Sequence, residues 1–308
     1  LKVGITGASG YVGQFIVRHF LQRGYTVRVL LRNVQKTKIF CAPDGRFEWT
    51  CGDMSNDVVL SEFVDGVHAV VHGAYDHLPG RYRGGEGDNL TGFLESNLNR
   101  SLALMQLAHG AGVEKFVFIS SRAVYASGHL RGNLQEHSAA QPDTFYGAYK
   151  AAVEAMVSAW AYQLHWHAVS LRLTGVYGVV NPLARSKWYD IARAVVRGEE
   201  YSQGRNATEV HGDDVARAVE LLLHEADARG QAVNCSDRLV SNREIAEIIQ
   251  SISGERGPLP PQAKAVSPAV MDCAYLQRKG FRFGGVGRLR QSLRELVEAV
   301  QKEQRSSQ

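Results

Sequence analysis

Three glycines, Gly7, Gly10 and Gly13, stand between a short apolar run, Lys2 to Thr6, and an amphipathic helical pattern that continues through Leu21. No other feature of the 308 residues restricts the fold as tightly. Glycines that follow a strand let the backbone turn sharply and approach a pyrophosphate, which then rests on the free amides at the start of the helix. The spacing is Gly-x-x-Gly-x-x-Gly, which matches the Gly-x-Gly-x-x-Gly fingerprint in kind only. With its flanking strand and helix the stretch reads as a dinucleotide loop, in which Gly7, Ser9, Gly10, Tyr11, Val12 and Gly13 face the cofactor.

The elements that follow supply further candidates. The strand Thr26 to Leu31 ends in Arg32, where NAD-binding proteins usually place a carboxylate for the ribose hydroxyls. A cation there suits the 2′-phosphate of NADP, so NADP is favoured over NAD. Asp53, followed by Met54, comes after another short strand; it either accepts from the adenine amine or caps its own turn. Ala69 to Ala74 reads as a buried strand whose small last residues, Gly73 and Ala74, leave room for the cofactor. Tyr75 to Glu95 lacks periodicity and is expected to be a long loop, a candidate substrate lid. From Ser96, Leu98, Leu102, Met105 and Leu107 mark a helix, and the strand Lys115 to Ile119 then leads into Ser120 and Ser121. Hydroxyls at the C-terminal end of a strand lie where open α/β sheets bind ligands.

Tyr146 and Lys150 stand four apart at the head of a helical run, a spacing that stacks both side chains on one face. Bringing a phenol from a pKa near ~10 to about 7 needs roughly 4 kcal/mol. One cation at about 4 Å, with an effective dielectric of about 20, supplies that much. The pair is therefore a candidate acid/base, with Tyr146 moving the proton and Lys150 lowering its pKa.

Composition narrows the class. Apolar residues make up 44% and charged residues 21%, which is ordinary for a globular chain of one large domain with an annex, or two domains. A net charge of +4, with a densest basic stretch, Arg278 to Arg294, that is broken by glycines, implies no nucleic acid. No apolar stretch reaches the roughly 20 residues of a membrane span, and Leu1 to Ile5 reads as a strand, not a leader, so a soluble, cytoplasmic protein is expected. Cys41, Cys51, Cys235 and Cys273 form no paired motif, so neither a metal site nor a disulfide framework is expected. Toward the C-terminus, Asp213 to His224 has helical spacing, and Ser241 with Glu244 forms a capping box. Gly257 to Pro268 reads as a linker, Leu289 to Gln301 as a terminal amphipathic helix, and the residues after Lys302 as a disordered tail.

Seven ordered stretches resemble the extended short-chain dehydrogenase/reductases of the NAD-dependent epimerase/dehydratase family. They are Thr6 to Gly13, Gly52-Asp53, Asn97 in Ser-Asn-Leu-Asn-Arg, Ser120 to Tyr125, Tyr146-x-x-x-Lys150, Leu171-Arg172 through Val176-Tyr177-Gly178, and His211 to Ala216. The resemblance implies a Rossmann-type doubly wound parallel sheet over 1–178, completed by parts of 207–240. It also implies a smaller substrate-binding domain from 179–206 and 241–308. By the same resemblance Tyr146 is the acid/base, Lys150 binds the nicotinamide ribose, Ser121 holds the reacting oxygen with Ser120 beside it, and Asn97 lies in the helix behind them. Ser120, Arg122, Tyr177 and Arg185 are candidate substrate contacts.

Departures from the family pattern narrow the substrate. Arg122 and Ala123 replace the acidic residues of the dehydratase branch. Gly175 and Ala207 stand where nucleotide-sugar members carry Asn and Arg, and Val179 replaces a proline. Arg185, Arg193 and Arg205 are possible compensating cations for an anionic substrate. The leading reading is hydride transfer at a secondary alcohol or carbonyl of a sugar-like small molecule. An NADPH-dependent reductase of a non-sugar ketone or aldehyde, and a non-enzymatic dinucleotide sensor, are the alternatives. Self-association as a homodimer stays open.

Overall fold

The computed structural model describes residues 1–40, 45–78, 80–81, 84–126, 132–263 and 269–306. Cys41 and part of the expected linker, 264–268, lie outside them. The strands are β1 (Lys2–Thr6), β2 (Thr26–Leu31), β3 (Phe47–Cys51), β4 (Ala69–His72), β5 (Lys115–Ser121), β6 (Asn133–Leu134), β7 (His167–Leu173), β8 (Gly175–Tyr177), β9 (Asn206–His211), β10 (Ala232–Cys235), β11 (Arg238–Ser241) and β12 (Val270–Met271). The α-helices are α1 (Tyr11–Gln22), α2 (Asp57–Val64), α3 (Leu90–Leu94), α4 (Arg100–Gly110), α5 (Phe145–Gln163), α6 (Tyr189–Val196), α7 (Gly212–His224), α8 (Asn242–Ser253), α9 (Ala274–Arg278) and α10 (Gly285–Ser306).

Seven strands form one parallel sheet in the order β10-β7-β5-β4-β1-β2-β3. The order reverses direction at β1, between β4 and β2, which is the doubly wound arrangement and sets a crevice at the C-terminal ends of those strands. Strands such as Val27-Arg-Val-Leu-Leu31 and Phe116-Val-Phe-Ile119 are nearly continuous apolar runs because helices cover both faces. On one face α1 and α7 bury Phe15, Ile16, Phe20, Val219 and Leu222. On the other, α2, α4 and α5 bury Leu60, Phe63, Leu104, Val153 and Val157. Each such side chain contributes about 1.5–3 kcal/mol on burial.

Beyond β7 the chain builds a second cluster. β8, β9 and β11 form a three-stranded sheet, and α6, α8 and α10 pack Ile191, Val195, Ile245, Ile249, Leu293 and Val297 together. A short parallel pair, β6 with β12, carries its own small core of Val124, Tyr125, Leu134, Ala269 and Met271. No helix among the described residues is long and apolar enough to cross a membrane.

Two sequence expectations change. The unstructured stretch expected to reach Glu95 ends at Asn89, whose side chain accepts from Gly92 N and starts α3. From there α3, a π-helical turn at Glu95–Asn99 and α4 run on continuously. At the other end α10 continues to Ser306 instead of ending in a tail at Lys302, with Glu303 receiving the Tyr189 hydroxyl at 2.9 Å. The polar residues of that last turn hide their helical register because only one face meets α6.

Candidate functional site

The glycine loop has the geometry of an anion cradle. Gly7 has φ +70, and a Cβ there would come 2.5 Å from the Gly73 carbonyl, so β1's exit and β4's exit are in direct backbone contact. A Cβ at Gly13 would meet the Gly7 carbonyl and Ala8 Cα (2.7 Å), which explains the third glycine as a close approach of the helix to the loop's own backbone. Gly10 is the N-cap of α1, with no side chain capping it, so the first-turn amides are available to a phosphate. These residues fit a dinucleotide pyrophosphate. Tyr11, in the first turn, points its hydroxyl to the 178–187 segment, where Oη donates to Gly178 O (2.7 Å) and accepts from Lys187 N (2.8 Å). Gln14 pairs with both backbone groups of Asn181, at 2.7 and 2.9 Å. The 178–187 segment is thus fastened to the first turn of α1, and Arg185 Nη1 reaches Ser9 O at 3.5 Å. Arg185 lies beside the loop.

Tyr146 is brought to β5 by a glycine that the sequence did not flag. Thr144 caps α5 by accepting from Gly147 N at 3.0 Å. A Cβ on Gly147 would run into the Ala123 carbonyl, so only glycine lets α5 begin flush against the turn that follows Ser121. Ser121 closes that turn, its Oγ accepting from Ala123 N at 3.1 Å. Tyr146 is half-buried, with its ring 4.9 Å from that of Tyr75. Lys150, one turn on, is 3% exposed; Nζ donates to Ile119 O at 2.7 Å and lies 5.9 Å from the Tyr146 ring centre and 4.5 Å from that of Phe118. Burial pushes its pKa from 10.5 down to about 7, opposed by the charge of Glu154.

Other candidates are placed differently. Ser120, one residue from Ser121 and so on the opposite side of the strand, is 2% exposed and donates to Glu154. Glu154 also takes a bidentate pair from Arg172 (Nε 3.0 Å, Nη2 2.6 Å), and Arg172 Nη1 reaches Tyr125 Oη at 2.6 Å. This buried network lies between α5 and the strands β5 and β7, and it engages the Ser120 hydroxyl. Tyr177 is 0% exposed, between the rings of Trp188 (5.1 Å) and His211 (5.0 Å). Arg122 Nη2 donates to Ala269 O at 3.0 Å. His211 caps α7, accepting from Asp213 N at 3.1 Å, and burial lowers its pKa to about 4.

On the cofactor side Asp53 caps its own turn, accepting from Ser55 N at 2.9 Å. That backbone bond, the largest cause, holds its carboxyl below the usual range, with the charges of Arg32 and Arg100 adding to it. Met54 O accepts from Arg100 Nε at 2.6 Å. Ala74 N donates to Thr6 Oγ1 at 3.2 Å, at the head of a buried chain that runs from Thr6 Oγ1 to His72 Nδ1 (2.7 Å), and from His72 Nε2 to Ser101 Oγ (2.8 Å) and on to Asn97 O. Ser101 donates to a carbonyl, so it must accept from His72 Nε2–H; the imidazole is the neutral Nε2–H tautomer, and burial lowers its pKa to about 3. Arg32 extends from the end of β2 to Asp76, a residue the sequence reading passed over.

With this geometry in place, the family model described as "NAD dependent epimerase/dehydratase family" matches residues 3–236. The chain belongs to that family. Dihydroflavonol 4-reductase of Hordeum vulgare is similar at 27% identity, over 80% of this chain and 74% of that protein. UDP-glucose 4-epimerase of Streptomyces lividans is similar at 26%, over 84% and 82%. Among solved structures, UDP-glucose 4-epimerase of Thermus thermophilus, in complex with NAD, superposes with a TM-score of 0.77 at 24% identity, covering 98% of this chain and 99% of that one. This epimerase/dehydratase family member is therefore an enzyme of NAD-dependent lineage on a Rossmann-type sheet.

One departure from the nucleotide-sugar pattern acquires a physical content. A side chain at position 175 would strike the Glu209 carboxylate and come 2.6 Å from Lys187 Nζ, because a Lys187–Glu209 ion pair fills that space. Lys187 is mostly buried, and desolvation lowers its pKa against the attraction of Glu209.

Proposed function

We propose that this protein is an NAD(P)-dependent oxidoreductase or epimerase that moves a hydride at a secondary alcohol or carbonyl of a sugar-like small molecule, with Ser121, Tyr146 and Lys150 as its reacting set. The observation that carries the reading is the Lys150 ammonium, held on Ile119 O at 2.7 Å and 5.9 Å from the Tyr146 ring, at the end of the strand that delivers Ser121. The bound nicotinamide accepts or returns the hydride. Tyr146 takes the hydroxyl proton in one direction and gives it in the other; Ser121 holds the substrate oxygen; Lys150 stabilises the phenolate by its charge and binds the ribose. Residues 1–178 with parts of 207–240 hold the nucleotide, and 179–206 with 241–308 hold the substrate. Arg32, at the end of β2, favours NADP.

A net reductase acting on a smaller, non-nucleotide substrate is the second reading, favoured by the Lys187–Glu209 pair in the space beside Gly175. A substrate screen followed by nicotinamide absorbance decides between them. Stoichiometric NADPH consumption with ketones or aldehydes supports the reductase. Nucleotide retained through dialysis, with sugar isomerisation and no net consumption, supports the epimerase. Nucleotide binding without turnover of any class counts against both.

A further inference from the structure

The ends of β2 and β4 flank the glycine loop from either side of β1, and each delivers a charged side chain to one place. Arg32 Nη1 lies 3.2 Å from Asp76 Oδ1, with the side chains 69% and 54% exposed. An exposed pair of this kind adds little to folding. The ion pair therefore does not account for how Asp76 is held. Its N–H donates to Asn97 Oδ1 and its carbonyl accepts from Asn97 Nδ2, both at 2.8 Å. Asn97 is 3% exposed, sits in the π-helical turn and also donates to Phe93 O at 2.9 Å. A buried amide thus grips both backbone groups of a residue whose carboxylate points to solvent beside the nucleotide loop. Arg32 is within electrostatic reach of Asp53 as well, so its guanidinium faces two carboxylates before any phosphate arrives.

We propose that Asp76 sets the choice between NAD and NADP, by supplying from β4 the ribose acceptor that β2 lacks and by opposing a 2′-phosphate at Arg32. The proposal rests on the dinucleotide reading above. A carboxylate accepts from a ribose 2′-hydroxyl, whereas a phosphate dianion in its place meets repulsion from Asp76 and attraction from Arg32. The two effects oppose, so the wild-type preference for NADP is small, and Asn97 holds the backbone that carries the opposing carboxylate.

Titration of NAD and NADP, by calorimetry, against wild type, Asp76→Asn and Arg32→Ala tests this. Asp76→Asn changes one exposed side chain and leaves the backbone bonds to Asn97 available. It should raise the NADP-to-NAD affinity ratio by about tenfold, the order of one charge-assisted hydrogen bond. Arg32→Ala should lower NADP affinity and leave NAD nearly unchanged. Both nucleotides binding with a ratio unmoved by Asp76→Asn would overturn the role of Asp76 alone. Failure of wild type to bind either nucleotide would overturn the dinucleotide reading, and this proposal with it.

Discussion

Lys150 places a cation where the fold would be better off without one, and replacing it with methionine separates stability from function. Its pKa falls from 10.5 to about 7 because Nζ is buried between the sheet and the Phe118 and Tyr149 rings. Because the folded value is the lower one, the unfolded chain holds the extra proton between about pH 7 and 10.5, and stability rises with pH across that window. At pH 7 the linked penalty is about 4 kcal/mol. Methionine fills a similar volume without it, but leaves the Ile119 carbonyl without its donor, at a cost of about 1–3 kcal/mol. The net gain is about 2 kcal/mol, or about 3 °C in melting temperature for a chain of this length.

Thermal melts of nucleotide-free wild type and Lys150→Met at pH 7 and pH 10 provide the assay. The variant should melt higher at pH 7, lose that advantage by pH 10, and have lost turnover at both. A variant that melts lower at pH 7, or whose advantage is the same at both pH values, would show that Lys150 is not a desolvated ammonium. The stabilisation assigned to Tyr146's phenolate would then need another source.

Three further outcomes follow from the same geometry. Tyr146→Phe should leave nucleotide affinity nearly intact while lowering turnover by about two to four orders of magnitude, because it removes only the proton carrier; unchanged turnover would refute the assignment. Glu154→Gln keeps the shape of the network but strips a buried Arg172 of its counter-charge, so the urea midpoint should fall by the equivalent of about 3–5 kcal/mol. A fall of under about 1 kcal/mol would mean that water reaches the pair. Gly175→Asn should force the Lys187–Glu209 pair apart and destabilise by about 1–3 kcal/mol, and an unchanged melting temperature would show that the space is free.

What was legible in the chain and what was not divide along the range of the interaction. The glycine loop could be read because its causes are local: a strand, a turn that tolerates no Cβ, and a helix without a capping side chain, all within Lys2 to Leu21. Strands β1, β2, β4 and β5 were legible as short apolar runs bounded by turn residues, whereas their parallel, doubly wound order came from the family resemblance. Strand alternation already implied that Ser120 and Ser121 point to opposite sides, yet not which side was buried; that needed Arg172 from β7 to bring its charge to Glu154. Tyr177 has the same origin, since its burial depends on Trp188 and His211 arriving from separate elements.

Asp76 is the harder case and shows where pattern reading stops. It lies in a stretch with no periodicity, two residues past Ala74 and within the expected lid, and the sequence offered only Arg32 at the end of β2 as the reader of the adenine ribose. That inference treated a strand end as an isolated position. In a sheet ordered β4-β1-β2 the exits of β2 and β4 are both next neighbours of the β1 loop, so any charge after β4 acts on the same ligand region as a charge after β2. A cation at one exit therefore has no fixed meaning for cofactor choice until the residue at the other exit is known. Here that residue is a carboxylate, and its backbone is held by the side chain of Asn97. Under the proposal above, the asparagine that the resemblance places in the helix behind Tyr146 also holds the backbone that carries this carboxylate.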